Sequence, residues 1–422
     1  MPSPGAPLSE WLTWLESLHP DEIELGLDRV RAVLDRLDLK LPEHVLTIAG
    51  TNGKGSSVAM ADALLRAAGY RVGAYTSPHI VAYNERIALS TGGNGLEPGG
   101  RQLVADARIT AAFERIEAVR DGVPLTYFEY GTLAAFVIFS AADLDVWILE
   151  VGMGGRLDAS NAINPTAALI TNVALDHCDW LGEDIETIAH EKAGVMRPGI
   201  PVVFGGPDVP QAIIEHAKSV GARLLLRDRD YSLDGVPRPG LQGEFQVGNA
   251  AAVLALLAAA GLSAAVDTAL VAAVLPDVHL EGRGQKVVEE GVEWLLDVAH
   301  NPAAAAELGA TLAAENRPGR SITIIGALAD KDIEGVAGPL DDHTDLWIAV
   351  TADSHRGMPA AELARRVANV TNRPCLIADS LDIAMGEARR EAGSGDRILV
   401  TGSFYIVGPV LQALGLYSPP VS

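Results

Sequence analysis

Chemistry could begin at a lysine set among glycines. Val45 to Ala49 is short, β-branched and aliphatic, and Gly50-Thr51-Asn52-Gly53-Lys54-Gly55-Ser56-Ser57 follows it directly. Small and aliphatic residues then run to Ala68. A strand, a glycine turn and a helix in that order can cradle phosphate. Glycines let backbone N–H groups curl around an anion, and the helix N-terminus adds partial positive charge. A lysine there reaches the outer phosphates and a hydroxyl touches Mg²⁺. The spacing is tighter than G-x-x-x-x-G-K-[ST], with the hydroxyl one residue late. A bare glycine turn with a surface lysine is the plainer alternative. Strand, helix and glycines agree, and favour the phosphate cradle at Gly53, Lys54, Gly55 and Ser56.

Other reactive side chains fall where further strands should end. Val146-Trp147-Ile148-Leu149-Glu150 is a buried-strand pattern interrupted by one carboxylate. Burying that acid is costly unless a cation or hydrogen bonds satisfy it. In a nucleotide enzyme the cation would be Mg²⁺, which prefers hard oxygen ligands. Arg71 to Tyr75 reads as a strand, and Thr76-Ser77-Pro78-His79 follows it; Ala167 to Asn172 reads as another, followed by Asp176-His177. Ligands of open α/β sheets gather at the carboxyl ends of strands, which is where Ser77 and His177 then lie. A Ser-Pro turn or a lone histidine is otherwise structural. Thr126-Tyr127-Phe128-Glu129-Tyr130 concentrates aromatic residues in a chain with few of them. It is either the start of a core helix or a wall for a flat heterocycle. On spacing alone, Ile23-Glu24-Leu25 is a connector and Lys192 a surface charge.

The elements that must position these groups form two alternating series. A chain of 422 residues exceeds what one core usually supports. Strands at Pro201–Phe204 and Arg223–Leu226 extend the first series, and Ser9 is expected to cap its first helix. Gly92 to Gly100 reads as an exposed loop. A boundary is expected near Leu275 to Gly284, dividing the chain at 281/282. Strands at Trp294–Asp297, Ile322–Gly326, Leu346–Val350 and Arg397–Thr401 then alternate with helices, implying a second parallel sheet without its own phosphate loop. The predicted class is therefore α/β throughout. Net charge of −23 argues against nucleic acid or an anionic membrane as a partner. Two cysteines, Cys178 and Cys375, point to a reducing compartment, and no secretory signal is visible. Ala250 to Val266 is apolar but alanine-rich and broken by Gly261 and Ser263, so a buried helix is expected rather than a membrane span.

Taken in order, Gly50 to Ser56, Thr76-Ser77-Pro78-His79, Tyr127-Phe128-Glu129-Tyr130-Gly131-Thr132, Glu150-Val151-Gly152 and Asp297-Val298-Ala299-His300-Asn301-Pro302 resemble the folylpolyglutamate synthase family of the Mur ligase superfamily, and most closely its bacterial bifunctional members. The resemblance covers almost the whole chain. It implies a P-loop ATPase-like parallel-sheet domain, 1–281, that binds ATP and a pteroate, and a smaller Rossmann-like domain, 282–422, that closes over it. It further implies that Ser77, Glu150 and His177 ligate Mg²⁺, and that Asn249, Arg283 and Asp297 contact ATP. His300 would face phosphate and incoming glutamate. Ile23-Glu24-Leu25, Thr126-Tyr127-Phe128-Glu129 and Leu157-Asp158-Ala159 would form the pteroate pocket. Lys192 resembles the family's carboxylated lysine, whose carbamate turns a cation into an anion. Gly284 departs from the bulky residue usual after the linker arginine.

The implied activity is ATP-dependent amide synthesis in the cytoplasm by a monomer acting on small molecules. A carboxylate is a poor electrophile, and ATP converts it to an acyl phosphate that an amine can attack. L-Glutamate would thus join dihydropteroate, or the γ-carboxylate of a reduced folate, with release of ADP and phosphate. Lys54, Glu150, Lys192 and His300 are the candidate catalytic groups. A monofunctional folylpolyglutamate synthase is the nearest rival. A UDP-muramoyl-peptide ligase is disfavoured by the aromatic stretch and the lack of an evident UDP-binding domain. A small-molecule kinase or nucleotide switch leaves Asp297-x-x-His300 unexplained.

Overall fold

The computed structural model describes residues 1–3, 5–19, 24–90, 101–315 and 319–417. The expected loop at Gly92 to Gly100, and Ile23, lie outside the described residues. The first domain carries strands β1 (His44–Ala49), β2 (Val72–Tyr75), β3 (Ile87–Ser90), β4 (Arg101–Leu103), β5 (Val146–Glu150), β6 (Ala167–Ile170), β7 (Pro201–Phe204) and β8 (Arg223–Leu226). They form one sheet in the order β4-β3-β2-β5-β1-β6-β7-β8. It is parallel except where β3 pairs antiparallel with β2 and β4. Successive side chains of a strand point to opposite faces. On β5, Trp147 and Leu149 accordingly join a core with Trp11, Phe113 and Phe136, while Val146 and Ile148 join Met60, Leu64 and Val253 on the other face. Both faces are covered, so the central strands read as continuous apolar runs.

The second domain adds β9 (Gln285–Glu289), β10 (Val292–Leu296), β11 (Ser321–Ile325), β12 (Leu346–Val350), β13 (Cys375–Ala378) and β14 (Arg397–Thr401). Their order is β13-β12-β11-β14-β10-β9, parallel apart from the edge strand β9. The two-domain α/β architecture expected from the sequence is therefore present. Four strands carried no clear sequence signal: β3, β4, β9 and β13 lie at or beside sheet edges, where alternation is weak.

Two local expectations are refined. The first helix, Leu8–Leu18, starts after Pro7 without a side-chain cap, so Ser9 lies inside it. Proline's fixed φ suits that entry, which comes earlier than a serine cap at position 9 would set it. The alanine-rich helix Phe245–Ala259 packs on the helix Lys54–Ala67 that follows the glycine loop. Among the described residues no helix is long and apolar enough to cross a membrane.

Candidate functional site

Both parallel sheets point the carboxyl ends of their strands into one cleft of about 1120 Å³. Its floor is the glycine loop between β1 and the helix Lys54–Ala67. Gly53 occupies the position before that helix with φ of +82°, and a Cβ there would stand 2.9 Å from Asn249 Nδ2. Only glycine meets both conditions. The loop is braced from the end of β6: Thr51 N donates to Asn172 O at 3.1 Å, and Asn52 N to Asn172 Oδ1 at 3.0 Å. Ser56 is buried and takes a hydrogen bond from Gln246 Nε2 at 3.3 Å, while Asn249 Nδ2 donates to Gln246 Oε1 at 2.9 Å. Lys54 Nζ lies over the loop, donating to Gly50 O at 3.0 Å and Thr51 O at 3.1 Å. Burial lowers its pKa, against the opposing charges of Glu150 and Asp176.

Glu150 ends β5 and is only 4% exposed. Its Oε2 accepts from Ser77 N at 3.1 Å, which brings the loop after β2 against it. Burial pushes its pKa up to about 6, opposed by Lys54 and the Ser77 N–H. Among the described residues no basic group makes an ion pair with it, so this carboxylate is short of positive charge. His177 follows β6 with φ of +52°, a left-handed backbone unusual outside glycine. Burial lowers its pKa to about 4, keeping the imidazole neutral and able to ligate. No set of three His, Cys, Asp or Glu converges among the described residues. A metal there would draw on the Ser77 hydroxyl as well as Glu150 and His177, and this oxygen-rich set suits a hard divalent cation.

The second domain supplies the facing wall. Arg283 on the linker lies over the ring of Phe404, 5.2 Å from its centroid, and that ring sits 6.0 Å from the imidazole of His300. Asp297 Oδ2 accepts from Gly284 N at 2.8 Å and Oδ1 from Ala299 N at 2.9 Å. The glycine at 284 has a physical reason: φ is +62°, and a Cβ would meet Gln242 Cβ at 2.6 Å. Burial lowers the pKa of Arg283 and raises that of Asp297, each countered by the other's charge. Asp176 joins the walls. It accepts from Lys331 Nζ at 2.8 Å and Asn301 Nδ2 at 2.9 Å, with His300 Nε2 3.6 Å away. Burial alone would raise its pKa, yet His300, His177 and Lys331 together hold it well below the usual carboxylate range.

Lys192 also lines the cleft, at 3% exposure, and burial brings its pKa down to about 7. It is not the surface charge that spacing alone suggested. Glu24, Thr126, Glu129, Leu157, Asp158 and Phe128 gather beside the cleft rather than in its wall. Arg29 bridges Glu24 and Glu129, with Nη2 3.0 Å from Glu129 Oε1. Gly26 N donates to Leu157 O at 3.3 Å. Thr126 caps the helix Tyr127–Ala141, and Thr126 N in turn donates to Glu129 Oε2 at 2.8 Å. Phe128 and Asp158 abut Gly152, which is in the wall; a Cβ on Gly152 would lie 2.5 Å from the phenyl ring. Leu25 is half-buried and Ala159 buried, and Tyr127 packs edge-on to Tyr83.

Sequence reasoning missed Asn172, Gln246, Arg86, Lys331 and Phe404, and gave Asp176 no role. Asp176, Lys331 and Phe404 follow strands at their carboxyl ends, the rule that placed His177. Gln246 and Arg86 carry no such signal.

A model of the Mur ligase glutamate ligase domain matches residues 282–404. The Escherichia coli (strain K12) dihydrofolate synthase/folylpolyglutamate synthase is 40% identical, over 98% of this chain and 97% of its own length. The structure of E. coli FolC in complex with DHPP and ADP superposes with a TM-score of 0.90 at 38% identity, covering 98% of this chain and 99% of that one. The Yersinia pestis c092 bifunctional folylpolyglutamate synthase/dihydrofolate synthase, complexed with AMPPNP and Mn ion, gives 0.87 at 40% identity, covering 99% and 100%.

Proposed function

The chain belongs to the dihydrofolate synthase/folylpolyglutamate synthase family, whose members are ADP-forming ligases, and on that premise we propose how its cleft divides the work. It is an ATP-dependent ligase that adds L-glutamate to dihydropteroate and to reduced folates. One observation carries the assignment of roles: a glycine-braced lysine, a buried unpaired carboxylate and a second sheet domain face each other across a single cavity.

In this reading ATP lies along the glycine loop, with its base end toward Asn249 and Arg283 and Asp297 holding it from the second domain. Lys54 and the loop amides stabilise charge on the transferring phosphoryl group, where most of the catalysis of such a step resides. Ser77, Glu150 and His177 would hold a divalent cation, Mg²⁺ by the donor chemistry, which supplies further charge neutralisation when bound. The acid oxygen of the pteroyl substrate takes the γ-phosphoryl group. Glutamate's amine then attacks the acyl carbon, and phosphate leaves. His300, hydrogen-bonded through Nδ1 to Val298 O at 2.9 Å, would position that amine. The second domain excludes water from the acyl phosphate.

Lys192 is poised for carboxylation, because a buried amine with a pKa of about 7 is substantially neutral and nucleophilic toward CO₂. The pteroate pocket is assigned to the patch from Glu24 to Asp158 beside Gly152. Residues 1–281 and 282–422 form the two domains. A monomer suffices, since one chain furnishes both walls, and the free cysteines suit the cytoplasm. The deciding experiment measures ADP release with glutamate and either dihydropteroate or tetrahydrofolate. Both acceptors should support it. Release with tetrahydrofolate alone would make the enzyme monofunctional, and release with neither would overturn the reading.

A further inference from the structure

Arg86 closes the turn Tyr83–Arg86 and lines the cleft, yet its residue is only 8% exposed. Among the described residues no carboxylate lies within ion-pair distance of it. Its Nε donates to His79 Nδ1 at 2.9 Å. The guanidinium carbon stands 5.4 Å from the ring centroid of Tyr83 and 5.8 Å from that of Tyr127. Its charge is felt at Glu150, the carboxylate already placed at the reaction centre. Aromatic faces contribute about 1–2 kcal/mol to a desolvated cation. That does not offset taking an arginine out of water, which normally demands an anion. The imidazole, the Tyr75 hydroxyl that also hydrogen-bonds the guanidinium, and the two rings fix its plane and still leave N–H donors for a planar, two-oxygen partner.

Resting on the functional reading above, we propose that Arg86 binds the carboxylate of the acceptor that is to be activated, and that His79 is the positioning residue that turns the guanidinium toward it. His79 can do this because Nδ1 accepts from Arg86, which places its own proton on Nε2. The imidazole is then a neutral brace and adds no competing charge. The bulk of the acceptor would extend toward Gly152, Phe128 and Asp158.

The test is calorimetric binding of dihydropteroate and of its decarboxylated counterpart, an aniline in place of the aminobenzoate. Arg86→Gln should weaken dihydropteroate roughly 10- to 100-fold, the loss expected for one charge-assisted contact. It should change binding of the decarboxylated compound less than about twofold and leave ATP affinity unchanged. His79→Ala should show a smaller loss that His79→Gln restores, because the amide oxygen can again accept from Nε. If Arg86→Gln does not fold, Arg86→Lys, which keeps the charge and loses the fork, is read in the same way. Equal weakening of both compounds, or of neither, would overturn the proposal. Wild-type protein that binds no dihydropteroate would instead overturn the functional reading on which it rests.

Discussion

Lys331 Nζ lies 2.8 Å from Oδ1 of Asp176, joining the loop after β11 of one sheet to the loop after β6 of the other. Both side chains are 8% exposed, so this is a buried pair. Asn301 strengthens it, donating to Asp176 Oδ2 and to Asn52 Oδ1, both at 2.9 Å. The glycine loop and the loop after β6 are thus both tied to the second domain through Asn301.

Removing one member of a buried pair strands the other charge, at a cost of about 3–5 kcal/mol. Lys331→Met and Asp176→Asn should each lower kcat/KM at least about tenfold. The double variant should lose less than the product of the two, with a coupling of about 1–3 kcal/mol. Strictly additive losses in steady-state kinetics would show that the pair is not joined in the competent enzyme.

Glu150→Gln keeps the shape of the carboxyl group and removes its charge. Turnover should fall by at least about a hundredfold while the thermal midpoint holds or rises, since a buried unpaired charge is gone. Ser77→Ala should raise the Mg²⁺ concentration needed for half-maximal rate. Near-normal activity of the glutamine variant would remove Glu150 from the site.

The buried amine of Lys192 predicts a pH dependence. Its pKa falls from 10.5 unfolded to about 7 folded, so between those values the unfolded chain binds a proton that the folded chain does not. Stability must therefore rise with pH across that window. In CO₂-free buffer the wild-type chain should gain stability from about pH 7 toward 10 relative to Lys192→Met. Adding bicarbonate should bring a 44 Da mass increment at Lys192, roughly the mass of one CO₂, and raise activity. An unmodified lysine in fully active enzyme would refute the carbamate.

Gly53→Ala tests the loop itself. The substitution demands a left-handed backbone of a residue with a Cβ, and sets that Cβ 2.9 Å from Asn249. The strain is of order 1–3 kcal/mol and falls on the ATP side. KM for ATP should rise at least about tenfold, with dihydropteroate binding little changed. An unaltered KM for ATP would show the loop does not hold the triphosphate.

Much of this was legible in the chain because it is written in local rules. A β-branched run, a glycine turn and a helix are read directly over 45 to 68, and a lone acid in the apolar run to Glu150 marks a buried charge in need of a partner. The carboxyl-end rule placed Ser77 and His177 in the cleft, which they line. The edge strands β4, β9 and β13 were not legible, since a strand with one free edge need not be uniformly apolar, and neither was β3, the short antiparallel strand beside β4. Glu24 and Asp158 were singled out through resemblance alone, and their local bonds show why spacing could not do so: one serves an ion pair and the other a helix cap.

The sequence by itself determined two α/β domains, a strand–glycine-turn–helix in the first and the family to which the chain belongs, because backbone periodicity and glycine placement act over a few residues. Only the tertiary structure decided that Asp176 meets Lys331 across 155 positions of chain, that Lys192 is buried and that Arg86 meets no counter-charge among the described residues. A charge's role depends on what surrounds it after packing, and no local pattern encodes which distant side chain will come within three ångströms.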